Sequence, residues 1–200
     1  AVFCDNGLPF FLTVLGIVRR GAVAVPIGAR QRGPELAHIL GQCTASALIH
    51  DAELDDRLPD LAACPSLRHV WRLTGGGAIG NLADLFPPAA APFAPPGHED
   101  DIALLFYTSG TTGKPKGAAI AHVNLVNSAL HYAYAIDLQP GQRGLLSIPA
   151  SHISGFCAVF VNMLSAGGAT VILRGADTAT TLRTLESQAI TFTVFVPAIY

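Results

Sequence analysis

Tyr107-Thr108-Ser109-Gly110-Thr111-Thr112-Gly113-Lys114-Pro115-Lys116-Gly117 follows an apolar, β-prone run, Ile102-Ala103-Leu104-Leu105-Phe106, and leads into a second apolar segment. Four Ser/Thr hydroxyls, three glycines and two lysines therefore crowd the end of a buried strand. Glycine lets the backbone adopt positive φ and brings N–H groups close to a ligand with no Cβ in the way. Successive inward N–H groups form a concave nest for anionic oxygens. Hydroxyls add donors, and lysine adds a mobile point charge suited to phosphate. Lys114 and Lys116 are the only lysines in the chain; every other fixed cation is arginine. This order of residues reads as a polyphosphate site rather than an ordinary Gly/Ser/Thr surface hairpin. It is not the common G-x-x-x-x-G-K-[ST] loop, because five residues past Gly110 stands Pro115.

Working outward, composition sets the class. Half of the 200 residues are hydrophobic, 13% are charged and the formal net charge is −2, which describes a globular chain able to bury a sizeable core. No basic stripe interleaved with aromatics is present, so nucleic acid is not an expected partner. No apolar run reaches the length of a membrane span; Phe10 to Val18 is interrupted and ends in Arg19-Arg20. No signal peptide is recognisable, although the chain opens at Ala1 without a methionine, so the natural N-terminus is expected upstream. Cys4, Cys43, Cys64 and Cys157 have no C-x-x-C spacing and mostly apolar neighbours, the pattern of free thiols in a reducing cytoplasm.

Strand and helix signals alternate. A helix is expected from Pro9 to about Arg20 with Gly21 as its stop, then a short strand Ala22–Val25 closed by Pro26. Gly33-Pro34 opens a second helix with Leu36, Ile39 and Leu40 on one face. Strands follow at 45–49 and 69–73, separated by an acidic, partly helical stretch interrupted by Pro59. Beyond the glycine-rich loop, a helix is expected from His122 to about Tyr134, then strand 145–148, helix 153–166, strand 169–173, helix 178–188 and strand 190–196. The fold class is therefore α/β, with mostly parallel sheets flanked by helices.

Gly75-Gly76-Gly77-Ala78-Ile79-Gly80 matches G-x-G-x-x-G, but a dinucleotide site needs a full helix and a second strand next, and only Asn81–Phe86 and Pro87-Pro88 follow. A plain glycine loop is the expected reading. His38, His50, His69, His98, His122 and His131 have no metal-ligand spacing and read as surface or core histidines. The Pro/Ala-rich stretch 87–97 is the clearest linker, dividing the chain into a first βα part (1–86) and a phosphate-loop part (98–200).

The second informative constellation is Ile148-Pro149-Ala150-Ser151-His152-Ile153-Ser154-Gly155, which sets one histidine between a strand end and a helix start. In open α/β sheets ligands bind at such strand ends. On its own, His152 reads as a helix-start or core residue.

The eleven-residue loop, however, resembles the phosphate-binding signature of the adenylate-forming superfamily, which includes acyl- and aryl-CoA ligases, luciferases and peptide-synthetase adenylation domains, and matches it without a gap. The similarity extends to Pro149 followed by His152-x-x-Gly155, to the early Arg19-Arg20-Gly21-Ala22-Val23 and Val25-Pro26, and to the closing Phe195-Val196-Pro197-Ala198-Ile199-Tyr200. Ala150-Ser151 departs from the family's usual large apolar and aromatic pair.

The resemblance implies a fragment of the large N-terminal domain. The adenine, ribose and metal ligands, the hinge and the lysine of a small C-terminal domain lie beyond residue 200, and residues 1–200 alone are expected to be inactive. It implies that the full protein uses ATP, Mg²⁺ and coenzyme A to convert a small carboxylic acid to acyl-AMP and then to a thioester. Thr108, Ser109, Gly110, Thr111, Thr112, Gly113, Lys114 and Lys116 would bind the phosphates. The Thr108 hydroxyl would reach the metal, Lys116 would act on the departing pyrophosphate, and His152 would lie against the acyl group. The rival readings are a peptide-synthetase adenylation domain and a non-catalytic nucleotide-binding protein of the same fold. The assembly state is open, with a homodimer among the candidates.

Overall fold

The computed structural model describes residues 1–85, 96–108, 113–175 and 177–195, with the side chains of Ala83 and Leu85 excepted. The chain divides into two compact units, Ala1–Ala121 and His122–Tyr200.

In the first unit, strands β1 (Val2–Phe3), β2 (Ala47–Asp51) and β3 (His69–Leu73) form a parallel sheet in that order. Helix α1 (Leu8–Arg19) carries Pro9 in its first turn, as the sequence indicates. It ends on Gly21 at φ +71°, with Gly21 N–H donating to the Val18 carbonyl and Ala22 N–H to that of Ile17. This paired pattern is the Schellman stop. Helix α2 (Gly33–Gln42) buries Leu36, Ile39 and Leu40 completely. It closes in the same way, but with Thr44 at φ +48° in the left-handed position. Asp137 and Ala189 take that position after two later helices, so three of the helix stops carry no glycine and left no mark in the sequence.

The strand expected at Ala22–Val25 is an extended connector rather than a regular ladder. Its pairing is limited to single bridges, Val2 with Pro26 and Ala24 with Leu104. Ala24 N–H donates to the Ala103 carbonyl and its own carbonyl accepts from Leu105 N–H, both at 2.9 Å. Proline at 26 removes the donor that a longer ladder would need. The acidic stretch forms two 3₁₀ turns, Ala52–Arg57 and Leu61–Ala63, on either side of Pro59.

The glycine cluster at 75–80 closes on itself. A Cβ on Gly80 would stand 1.6 Å from the Thr74 carbonyl oxygen, and one on Gly75 would stand 2.7 Å from Gly80 Cα. Only the 3₁₀ turn Gly80–Leu85 follows, so these glycines serve a tight local reversal and no dinucleotide helix is built on them.

Strand β4 (Ile102–Thr108) pairs with β5 (Lys116–Ala121), and the pairing is antiparallel. The glycine-rich stretch is therefore the connection of a hairpin. Ala103, Leu104, Phe106 and Tyr107 are buried, whereas β5 is exposed from Lys116 to Ala119. Tyr107 joins the core cluster containing Phe3, Leu36, Ile39, Leu40 and Leu48, which seats the hairpin on α2 and the parallel sheet.

The second unit holds a parallel sheet of β6 (Arg143–Leu146) between β7 (Ala169–Ile172) and β8 (Phe192–Thr193). Helix α3 (His122–Ala135) precedes it. Between β6 and β7 runs a continuous helical segment: α4 (Ile153–Gly155), a π-helical stretch Phe156–Val161, and α5 (Asn162–Ser165). The sequence promised one uniform apolar helix there. The wider turns leave Asn162 fully buried, its Nδ2 donating to the Ala158 carbonyl at 2.9 Å. Helix α6 (Thr178–Ser187) is capped by Asp177.

Candidate functional site

The hairpin fixes the geometry of the loop's two ends. Thr108 and Lys116 are register partners on the last rung, and Tyr107 faces Gly117 one rung below. Thr108, Gly113, Lys114 and Lys116 are all exposed. A hydroxyl and an ammonium group are thus offered side by side at the mouth of the loop. Ser109, Gly110, Thr111 and Thr112 lie outside the described residues.

Two glycines have distinct reasons for being there. Gly113 sits at φ +85° with nothing within 4 Å of where a Cβ would be, so the backbone conformation demands it. Gly117 has ordinary strand geometry, but a Cβ there would stand 3.2 Å from Tyr107 Cζ, so the phenol ring lies across the bare backbone. Burial, followed by the charge of Cys43, pushes the Tyr107 hydroxyl pKa upward, which keeps the phenol neutral.

One contact at this end had no signal in the sequence. His38, on α2, has its Nε2 3.1 Å from the Pro115 carbonyl oxygen. A carbonyl only accepts, so Nε2 carries the hydrogen. Local spacing marks His38 only as an ordinary surface or core histidine, because its partner stands 77 residues away.

His152 lies in the second unit, at the N-cap of α4, with extended backbone (φ −102°, ψ 148°). Its N–H donates to the Pro149 carbonyl at 3.2 Å and its carbonyl accepts from Phe156 N–H at 3.0 Å, so backbone bonds on both sides set its position. Its side chain is exposed and makes no capping bond. The glycine of His152-x-x-Gly155 has a steric explanation. A Cβ on Gly155 would stand 2.3 Å from the Pro149 carbonyl oxygen and 2.9 Å from its carbon. The small pair Ala150-Ser151 is buried, at 1% and 8% exposure, and packs inward rather than presenting a large wall. On the helical segment that follows, the Cys157 thiol is pushed up to about 11 by burial and remains protonated.

Among the described residues no cluster of three His, Cys, Asp or Glu side chains gathers to hold a metal ion.

The chain is similar to proteins that join acids to coenzyme A. Feruloyl-CoA synthase of an Amycolatopsis species is 34% identical over 195 residues, covering 98% of this chain and 38% of that protein. A crotonobetaine/carnitine–CoA ligase of Shigella dysenteriae is 29% identical over 207 residues, covering 100% of this chain and 40% of its own length. The crystal structure of ATP-bound MatB from Rhodopseudomonas palustris superimposes with a TM-score of 0.88 at 25% identity, covering 100% of this chain and 39% of that one. The chain thus spans about two fifths of the length of the relatives it matches. The family model described as AMP-binding enzyme matches residues 1–200. With the hairpin loop and the His-x-x-Gly helix start in place, the chain belongs to the AMP-binding enzyme family, in the N-terminal part of the adenylate-forming superfamily.

Proposed function

We propose that the full protein is an ATP-dependent acid–CoA ligase and that residues 1–200 supply part of its large N-terminal domain. The observation that carries this reading is the pairing of Thr108 with Lys116 at the mouth of the loop, in a chain 34% identical to a feruloyl-CoA synthase. In the first half-reaction a carboxylate oxygen attacks the α-phosphorus of ATP. The bond to the bridging oxygen breaks, and pyrophosphate leaves with the electron pair. In the second, the coenzyme A sulfur attacks the acyl carbon, AMP departs, and the thiol proton passes to solvent or a base.

The part played here by this stretch is electrostatic. The loop from Thr108 to Lys116 holds the β- and γ-phosphates. Lys116 stabilises the charge that grows as pyrophosphate separates, a kind of preorganised interaction worth about 3 kcal/mol in a water-poor site. The Thr108 hydroxyl would help hold Mg²⁺, which would supply positive charge against the phosphates. His152 orients the acyl group from the start of α4. The four free cysteines, Cys4, Cys43, Cys64 and Cys157, support a reducing, cytoplasmic setting, and among the described residues no helix is long and apolar enough to cross a membrane. A homodimer is the assembly to test by sizing.

The test is acid-dependent exchange of radiolabelled pyrophosphate into ATP by the full-length protein, across aryl, short-chain and long-chain acids, followed by thioester formation with coenzyme A. Exchange with at least one class, and release of its CoA thioester, is expected. Exchange with none of them contradicts the proposal; exchange with no transfer to coenzyme A moves the acceptor to a carrier-protein thiol.

A further inference from the structure

Both ends of the hairpin connection are tied to the same helix. On the entry side, Tyr107 packs in the cluster formed by Leu36, Ile39 and Leu40 of α2 and lays its ring across Gly117. On the exit side, His38 of α2 reaches the Pro115 carbonyl at 3.1 Å. Pro115 immediately precedes Lys116, so its peptide group is the one that sets the direction in which the Lys116 residue leaves the loop. Pro115 can donate no backbone hydrogen bond of its own. Gly113, two residues earlier, has no neighbour within 4 Å of its Cβ position to brace it. Among the described residues, the other backbone hold on the exit side is the β4–β5 ladder from Lys116 onward. A half-buried imidazole from a helix whose other face is fully buried is a rigid anchor for that carbonyl.

We infer that His38 is a positioning residue for the phosphate loop: its Nε2–H, bonded to the Pro115 carbonyl, fixes the exit of the loop so that Lys116 meets the polyphosphate of ATP without a further ordering cost. The inference rests on the reading of the loop as the ATP site. His38 touches neither reacting atom, so its effect falls on how readily the loop receives ATP. Without the bond the free loop samples other exits, and the cost of ordering it is met when ATP binds, in ground state and transition state alike, which appears in KM and leaves kcat alone. One hydrogen bond of this kind is worth about a 3- to 10-fold change.

The experiment uses the full-length protein with His38→Ala, His38→Leu and His38→Gln. Glutamine can place an amide N–H near the position of Nε2; alanine and leucine cannot. In pyrophosphate exchange, KM for ATP should rise about 3- to 10-fold in the alanine and leucine variants, with kcat and the KM for acid unchanged, and the glutamine variant should recover most of the loss. A merely structural role would lower the active fraction, reducing kcat with KM intact. That result, or a glutamine variant no better than alanine, overturns the inference. Amide hydrogen exchange over residues 113–118 provides a readout independent of catalysis, faster in the alanine and leucine variants and unchanged in glutamine. If the wild-type protein exchanges no pyrophosphate, the proposed function fails, and the amide exchange alone decides whether His38 holds the loop; equal protection in all variants refutes it.

Discussion

Replacing Gly155 with alanine tests the physical explanation of the His152-x-x-Gly155 spacing. The backbone there is ordinary helix (φ −68°, ψ −46°), so alanine meets no conformational strain. Helix propensity alone would make the change stabilising by up to about 1 kcal/mol. Against that, the new Cβ would stand 2.3 Å from the Pro149 carbonyl oxygen and 3.2 Å from Ala150 Cα, all of it backbone. With φ locked by its ring, Pro149 can turn its carbonyl away only through ψ, which strains the bond that this oxygen accepts from His152 N–H. To restore ordinary contact the oxygen must retreat by about 1 Å, an overpacking strain of about 1–3 kcal/mol. The clash exceeds the propensity gain, and a net loss of about 1–2 kcal/mol, or roughly 2–6 °C in apparent melting temperature, is expected. Because the retreat separates Pro149 from α4, the peptide carrying His152 moves too, and the KM for acid should rise. Gly16 in α1 is the matched control, since nothing lies within 4 Å of its Cβ position. Gly16→Ala should raise the melting temperature. Melting curves of both variants of the full-length protein, with amide exchange over 149–157, make the comparison. A Gly155→Ala protein as stable as Gly16→Ala, with an unchanged KM for acid, would refute the reasoning.

Thr44, β-branched at φ +48° in the stop of α2, is strained by about 1 kcal/mol. Thr44→Gly should raise the melting temperature by a few degrees, and a lowered one would count against the strain. Asp177 caps α6 by accepting from Thr180 N–H at 2.7 Å, and this bond, the largest cause, holds its carboxyl below the usual range. A depressed folded-state value stabilises above the unfolded one and is lost as pH falls through it. Amide protection at Thr180 and Thr181 should therefore fall on acidification in the wild type, and Asp177→Ala should be weaker at neutral pH and lack that acid limb. Cys157, buried and pushed up to about 11, should resist a disulfide reagent at pH about 8 until the protein is unfolded, and labelling at the rate of a free thiol would contradict its packing.

The sequence exposed those parts of the fold that rest on local chemistry. Pro9 and Gly21 bracket α1, the Leu36/Ile39/Leu40 face marks α2, and β3 runs from His69 to Leu73 as its alternation with helices suggested. The hairpin was less legible. Its second strand, Lys116-Gly117-Ala118-Ala119-Ile120-Ala121, has almost no β-branched content, and its partner strand alone carries the β signal. The π turns at Phe156–Val161 were invisible because an all-apolar run looks the same at any helical pitch. Three left-handed stops hid behind Thr44, Asp137 and Ala189, where glycine is the usual sign. At the candidate site, Thr108 and Lys116 were proposed from the loop motif, and His152 only through the family resemblance. The reason for Gly155 and the reach of His38 depend on approaches between separate segments, which a linear reading cannot supply.

The central claim, that the loop acts on the departing pyrophosphate, is tested most directly by comparing Lys116→Ala with Lys114→Ala in the full-length protein. Both side chains are exposed in this structure, but only Lys116 stands on the ladder opposite Thr108. An interaction stronger in the transition state than in the ground state lowers kcat more than it raises KM. Steady-state pyrophosphate exchange should show kcat lower by roughly 10²–10³ in Lys116→Ala. Lys114→Ala should lose less than about tenfold, as an exposed charge does. Equal rises in the KM for ATP with kcat unchanged in both variants, or a full-rate Lys116→Ala enzyme, would reduce the loop to a clamp for ATP and contradict the account.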